Sequence, residues 1–125
     1  MAVTRITKEE LKLKLEERDE AARPLPVDVR LKYPFEHSTL KLPGAVRLSP
    51  SVPLASGLPR SRDLVLYCSD PDEITSSRIA AELVAKGYRA AVLKGGIGEW
   101  ITANLPTESK DASRLALANP DTPQA

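Results

Sequence analysis

Two short runs, Leu64-Val65-Leu66-Tyr67 and Ala90-Ala91-Val92-Leu93, are apolar on successive residues, and the segment between them is apolar at helical spacing. A strand that is apolar at every position is covered on both faces, the mark of a parallel sheet with helices on each side. Between the runs, Ile79, Ala80, Leu83 and Val84 share one face of a helix expected over 75–86, and Gly87 is placed to stop it. Residues 64–93 therefore read as a strand, helix, strand unit with a right-handed crossover.

Upstream, Thr7-Lys8-Glu9-Glu10 has the form of a capping box, and Leu11 and Leu15 lie on one face of a helix expected over 7–19, a pattern that Leu13 interrupts. After the break at Pro24-Leu25-Pro26, Val27-Asp28-Val29-Arg30 alternates apolar and charged residues as a short strand does. Pro34 to Thr39 suits a short helix with proline in its first turn, Leu42-Pro43-Gly44 a turn, and Ala45 to Leu48 a second short strand. Ser49 to Pro59, with three prolines, reads as irregular. Gly95-Gly96 turns the chain into a short helix carrying Trp100, which Asn104-Leu105-Pro106 ends.

These elements predict an α/β domain over 1–108: a central, mostly parallel sheet of about five short strands with helices on both faces, in three layers. Residues 109–125 are expected to be a tail, weakly helical around 112–118 and frayed at its end. At 125 residues the chain suits one core. With 18 Lys plus Arg against 17 Asp plus Glu, no long-range field favours nucleic acid or an anionic membrane. No run approaches the roughly 20 apolar residues that span a bilayer, so the chain is expected to be soluble and cytoplasmic, without membrane contact of its own.

Cys68 is the only cysteine and His37 the only histidine, so neither an internal disulfide nor a four-ligand zinc site is expected, and no metal is assigned. The cysteine stands where the buried strand gives way to a polar loop and then a helix. Strand, loop and helix N-terminus in that order aim backbone N–H groups at one place, with the positive end of the helix dipole behind them. A cysteine at the base of such a cradle is drawn toward thiolate, the nucleophilic form. The competing reading is a buried cysteine acting as a small hydrophobe.

Several residues together resemble the catalytic half of a rhodanese domain: Tyr67-Cys68, a loop, Ser76-Ser77-Arg78-Ile79-Ala80, then Leu83, Gly87-Tyr88, Val92, Leu93-Lys94-Gly95-Gly96-Ile97 and Trp100. Asp28-Val29-Arg30 is similar to that family's Asp-x-Arg strand, and Leu42-Pro43-Gly44-Ala45 to its Ile-Pro-Gly-Ala turn. The match runs over about residues 5–107. It implies a rhodanese-like fold and sulfurtransferase chemistry in which Cys68 takes a sulfane sulfur from a small donor, thiosulfate or a persulfide, and passes it to a thiol or cyanide. The intermediate is a covalent cysteine persulfide, and no cofactor is implied. The expected site is Cys68 with the loop Ser69, Asp70, Pro71, Asp72, Glu73, Ile74, Thr75 and Ser76, supported by Asp28, Arg30 and Arg78.

The loop departs from the common Cys-Arg-x-Gly-x-Arg-Ser form. Aligned on Ser76 it is two residues longer, and it is acidic instead of basic. It resembles the Cys-x-x-Pro-x-Glu-x-x-Ser variant of some bacterial rhodanese modules, several of them appended to membrane proteins of the DedA type, so the chain is expected to be a whole protein or a module of a larger one, monomeric or weakly dimeric. At about 7 Å and an effective dielectric of about 20, each of Asp70, Asp72 and Glu73 opposes a unit anion at the thiol by on the order of 2 kcal/mol, less after screening. That penalty disfavours thiosulfate unless a carboxylate caps the helix or pairs with Arg78, and it supports an alternative reading as a catalytically weak binding or regulatory module. Cysteine phosphatase and arsenate reductase chemistry is disfavoured, because the arginine of a Cys-x5-Arg loop would stand where Ile74 does. Redox sensing through sulfenic acid would lack a resolving cysteine in the chain. Trp100 is expected in the core and His37 on the surface.

Overall fold

The computed structural model describes residues 3–19, 22–48, 58–69 and 72–110. Its elements are β1 (Thr4–Ile6), α1 (Lys8–Leu15), β2 (Leu25–Asp28), α2 (Lys32–His37), β3 (Leu40–Lys41), β4 (Val46–Arg47), β5 (Asp63–Tyr67), α3 (Ile74–Ala85), β6 (Arg89–Leu93), α4 (Gly96–Thr102) and β7 (Glu108–Ser109). Five strands form one sheet in the order β1-β6-β5-β2-β4, every neighbouring pair parallel. β5 lies at its centre.

The run Leu64 to Tyr67 is apolar throughout because both of its faces are covered. Leu64 and Leu66 pack with Val27, Val92 and the α3 residues Ile79 and Leu83. On the opposite face, Val65 and Tyr67 pack with Leu11 of α1, Leu42 and the α4 residues Ile97 and Trp100. The three layers are thus α3, sheet, and α1 with α4. Trp100 is fully buried and its indole N–H donates to the Pro106 carbonyl at 2.7 Å.

α1 starts as expected: the Thr7 hydroxyl accepts the Glu10 N–H at 3.1 Å and the Glu10 carboxylate accepts the Thr7 N–H at 3.0 Å. It ends at Leu15 and not at 19, since Glu16-Glu17-Arg18-Asp19 offers no apolar side chain to bury and helical stability in proteins comes chiefly from packing. β2 begins at Leu25, ahead of the expected Val27. Pro26 is tolerated because β4 flanks only Val27 and Asp28, which leaves Pro26 with β5 alone as a neighbour.

Three strands escape the hydrophobic pattern. β1 is an edge strand of three residues that pairs with β6. β3 and β7 form a separate antiparallel pair, Leu40 opposite Ser109 and Lys41 opposite Glu108. The fold therefore continues through Lys110, whose N–H donates to the Thr39 carbonyl at 2.9 Å, and the boundary at 108 falls inside β7. The expected irregularity of 49–57 and the weak helix at 112–118 lie outside the described residues.

Candidate active site

Cys68 follows β5 directly and is 1% exposed. Its carbonyl accepts the Ile97 N–H from the first turn of α4 at 3.0 Å, which ties the strand end to the opposite layer. Its thiol donates to the Ser76 hydroxyl at 3.4 Å, and that hydroxyl donates to the Glu73 carbonyl at 3.3 Å. Thr75 and Ser76, in the first turn of α3, are both buried. The expected geometry of strand, loop and helix N-terminus is present, and an α-helix leaves the N–H groups of its first turn without intrahelical acceptors. Ser69 is half-buried and lines a cleft of about 420 Å³ with Lys8, Gly95, Gly98 and Glu99. Asp70 and Pro71 lie outside the described residues. Asp72 and Ile74 are exposed.

Glu73 behaves unlike an exposed loop acid. Its side chain is only 6% exposed, and its carboxylate accepts both a 2.8 Å bond from Arg5 Nε and a 2.7 Å bond from Arg5 Nη2. The Gly95 N–H at the turn between β6 and α4 donates to it as well, at 3.1 Å. The backbone of Glu73 is left-handed, φ 65° and ψ 26°, a conformation that a residue with a Cβ adopts only when its surroundings hold it there. Hydrogen bonding from Arg5, helped by the Gly95 N–H, holds the Glu73 carboxyl below the usual carboxylate range against the opposing effect of burial. Glu73 neither caps α3 through its side chain nor pairs with Arg78; Arg78 instead pairs with Glu82 one turn along the exposed face of α3, at 3.2 Å. Among the described loop acids, Glu73 takes Arg5 as its partner.

Behind the strand ends, Asp28 and Arg30 form a buried ion pair with side chains 3% and 2% exposed. Arg30 Nη2 donates to Asp28 Oδ2 at 2.6 Å and to the Leu40 carbonyl at 3.0 Å, and its guanidinium lies 5.5 Å from the Phe35 ring and 5.7 Å from the Tyr67 ring. Arg47 Nη1 donates to the Arg30 carbonyl at 2.6 Å and sits 3.6 Å from Asp28 Oδ1. The Val29 N–H donates to the Tyr67 carbonyl at 3.0 Å, so this cluster braces the residue immediately before Cys68. Burial, with Asp28 adding to it, pushes the Tyr67 phenol up; it stays protonated, and its oxygen accepts the Leu42 N–H at 3.3 Å.

The family model described as rhodanese-like domain matches residues 7–103. This chain is a rhodanese-like domain. No curated protein matches it significantly. Among solved structures, a protein from Bacillus halodurans superposes with a TM-score of 0.71 at 20% identity, covering 85% of this chain and 77% of its own. A rhodanese-related protein from Thermoplasma volcanium gives a TM-score of 0.64 at 18% identity, over 84% of this chain and 97% of its own. A thiosulfate sulfurtransferase from Pseudomonas aeruginosa gives 0.64 at 24% identity, over 86% of this chain but only 19% of its own. These likenesses establish the rhodanese-like α/β fold.

Within this rhodanese-like domain the charge around the thiol differs from the sum of formal charges. Glu73 is compensated by Arg5, so it does not count against an anion at Cys68 as the simple sum supposed. Arg5 and Arg47 are the two site-supporting residues that the sequence pattern does not single out. Arg5 sits in a three-residue strand too short for periodicity to mark, and Arg47 lies in the expected short strand at 45–48 but only its spatial neighbours show its role. Among the described residues, no group of three or more His, Cys, Asp or Glu side chains is arranged to hold a metal ion, and no helix is long and apolar enough to cross a membrane.

Proposed function

We propose that this rhodanese-like domain is a sulfurtransferase with Cys68 as its sulfur carrier. The Cys68 thiolate attacks the outer sulfur of a donor. The donor's sulfur–sulfur bond breaks, sulfite leaves from thiosulfate or a thiolate from a persulfide, and the sulfur remains on Cys68 as a persulfide. A thiol or cyanide then attacks that outer sulfur, and Cys68 leaves as thiolate. No net oxidant or reductant is needed, and no cofactor is called for.

The observation that carries this reading is the placement of the Cys68 thiol against Ser76 in the first turn of α3, where helix amides and the helix dipole would stabilise negative charge carried by the sulfur during transfer. With Glu73 compensated, thiosulfate stands beside a persulfide as donor; exposed Asp72 acts through solvent, where screening weakens it. A sequence with a single cysteine suits a reducing compartment, and we place the domain in the cytoplasm.

Mass spectrometry after incubation with thiosulfate or glutathione persulfide tests the proposal. A gain of one sulfur atom, absent in Cys68→Ser and removed by cyanide or excess thiol, is the expected result. No adduct from either donor would favour the binding-module reading instead.

A further inference from the structure

The geometry points to Arg5 and Glu73 as a positioning pair that sets the sulfur-carrying loop from a strand two places away in the sheet. Arg5 lies in β1, and the sheet order β1-β6-β5 puts β6 between it and the strand that delivers Cys68. The loop after Cys68 is two residues longer than the common rhodanese form. Glu73, near its end, reaches across β6 to Arg5 and to the Gly95 N–H at the end of β6.

An ordinary surface ion pair would do little. This one differs in three respects: the acid is nearly buried, the guanidinium engages it through two parallel bonds, and a backbone N–H satisfies a further lone pair. Those contacts fix the side chain of Glu73. Its backbone carbonyl, meanwhile, accepts both the Ser77 N–H at 2.9 Å and the Ser76 hydroxyl at 3.3 Å. The residue is therefore held at one end by Arg5 and Gly95 and holds the first turn of α3 at the other. Ser76 is the residue whose hydroxyl meets the Cys68 thiol. Releasing Arg5 frees Glu73 from its left-handed backbone, shifts the first turn of α3, and moves Ser76 and its amides relative to the sulfur. Both act on the thiol through Ser76 and the helix start. The role in sulfur transfer rests on the proposed function, whereas the mechanical coupling does not.

The test compares Arg5→Ala, Arg5→Lys and Glu73→Gln with the wild type. Arg5 is half-exposed on an edge strand, so its variants retain the fold, which thermal unfolding checks directly. Three readouts are taken below the unfolding transition: single-turnover sulfur loading of Cys68 from glutathione persulfide, the pH profile of Cys68 alkylation by iodoacetamide, and amide hydrogen exchange over residues 72–77. Arg5→Ala is expected to slow loading by about tenfold or more, as a small misplacement of a reacting group does, to shift the alkylation profile, and to speed exchange at the start of α3. Glu73→Gln should show the same in weaker form, and Arg5→Lys, which keeps the charge without the fork, should recover part of the loss.

Wild-type loading, alkylation and exchange in Arg5→Ala would overturn the proposal. So would losses in Arg5→Ala that disappear when both proteins are compared at the same interval below their unfolding temperatures, because the pair would then be a stability element only. If the wild type takes no sulfur from any donor, the sulfurtransferase reading fails, and alkylation and exchange alone still decide the positioning role.

Discussion

Cutting the buried Asp28–Arg30 pair at one end should cost more stability than replacing both ends. The two side chains are 3% and 2% exposed, and Asp28 accepts from Arg30 Nε at 3.0 Å, from Nη2 at 2.6 Å and from the Arg30 backbone N–H at 3.0 Å. In Asp28→Leu the Arg30 guanidinium keeps the Leu40 carbonyl and the two aromatic rings, and Arg47 loses its nearby carboxylate too. Leaving one charge of a buried pair uncompensated costs about 3–5 kcal/mol, the loss expected for Asp28→Leu. Arg30→Met leaves Asp28 with Arg47 at 3.6 Å and the Arg30 position's backbone N–H, so about 3 kcal/mol is expected. The double variant Asp28→Leu with Arg30→Met leaves no orphan of the pair and should lie within about 2 kcal/mol of wild type.

Urea unfolding followed by tryptophan fluorescence measures all three, because Trp100 is the chain's single tryptophan and is fully buried. Each single variant should also melt more than about 10 °C below wild type, given about 4–8 °C per kcal/mol for a domain of this size. Single-variant losses below about 1 kcal/mol, or a double variant that loses the full sum, would refute the reasoning.

Three further outcomes are expected. Glu73 has a lowered pKa in the fold, so its ionised form contributes stability above its ordinary value of 4.5, and that contribution is lost as pH falls through the lower folded value; the difference in Tm between wild type and Glu73→Gln should shrink from pH 7 to pH 3, and a constant difference would count against it. Gly95→Ala and Gly98→Ala should move in opposite directions in thermal unfolding. At Gly95, φ is +78° and an added Cβ would meet the Glu99 side chain, for a loss of about 1–2 kcal/mol; at Gly98, inside α4, nothing lies within 4 Å and alanine should gain about 0.5–1 kcal/mol. Thr7→Ala should cost about 1 kcal/mol by removing the side-chain acceptor of the α1 capping box, measured by urea midpoint at unchanged slope.

What could be read from the chain was whatever burial writes into local order. β5 and β6 are legible because a central strand must be apolar on both faces, and α3 because its buried residues recur at helical spacing. The start of α1 is legible because a capping box is complete within four residues. Cys68 is legible for the same reason: a strand end, a polar loop and a helix start are neighbours in sequence as well as in space. Asp28 and Arg30 could be suspected as a structural pair since they are two residues apart.

Strands of two or three residues carry no period, and β1, β3 and β7 exist only through their partners, which lie far along the chain. The loop's chemistry was undecided for the same reason. Asp70, Asp72 and Glu73 are equivalent as letters, and only the parallel order β1-β6-β5 brings Arg5, 68 residues away, against Glu73. Which acid is buried, paired and left-handed depends on which strand becomes its neighbour. The sequence by itself determined where Cys68 stands, at a strand end ahead of a helix; the sheet order decided that Glu73 is buried against Arg5, because the pairing of charges is set by tertiary proximity and not by spacing along the chain.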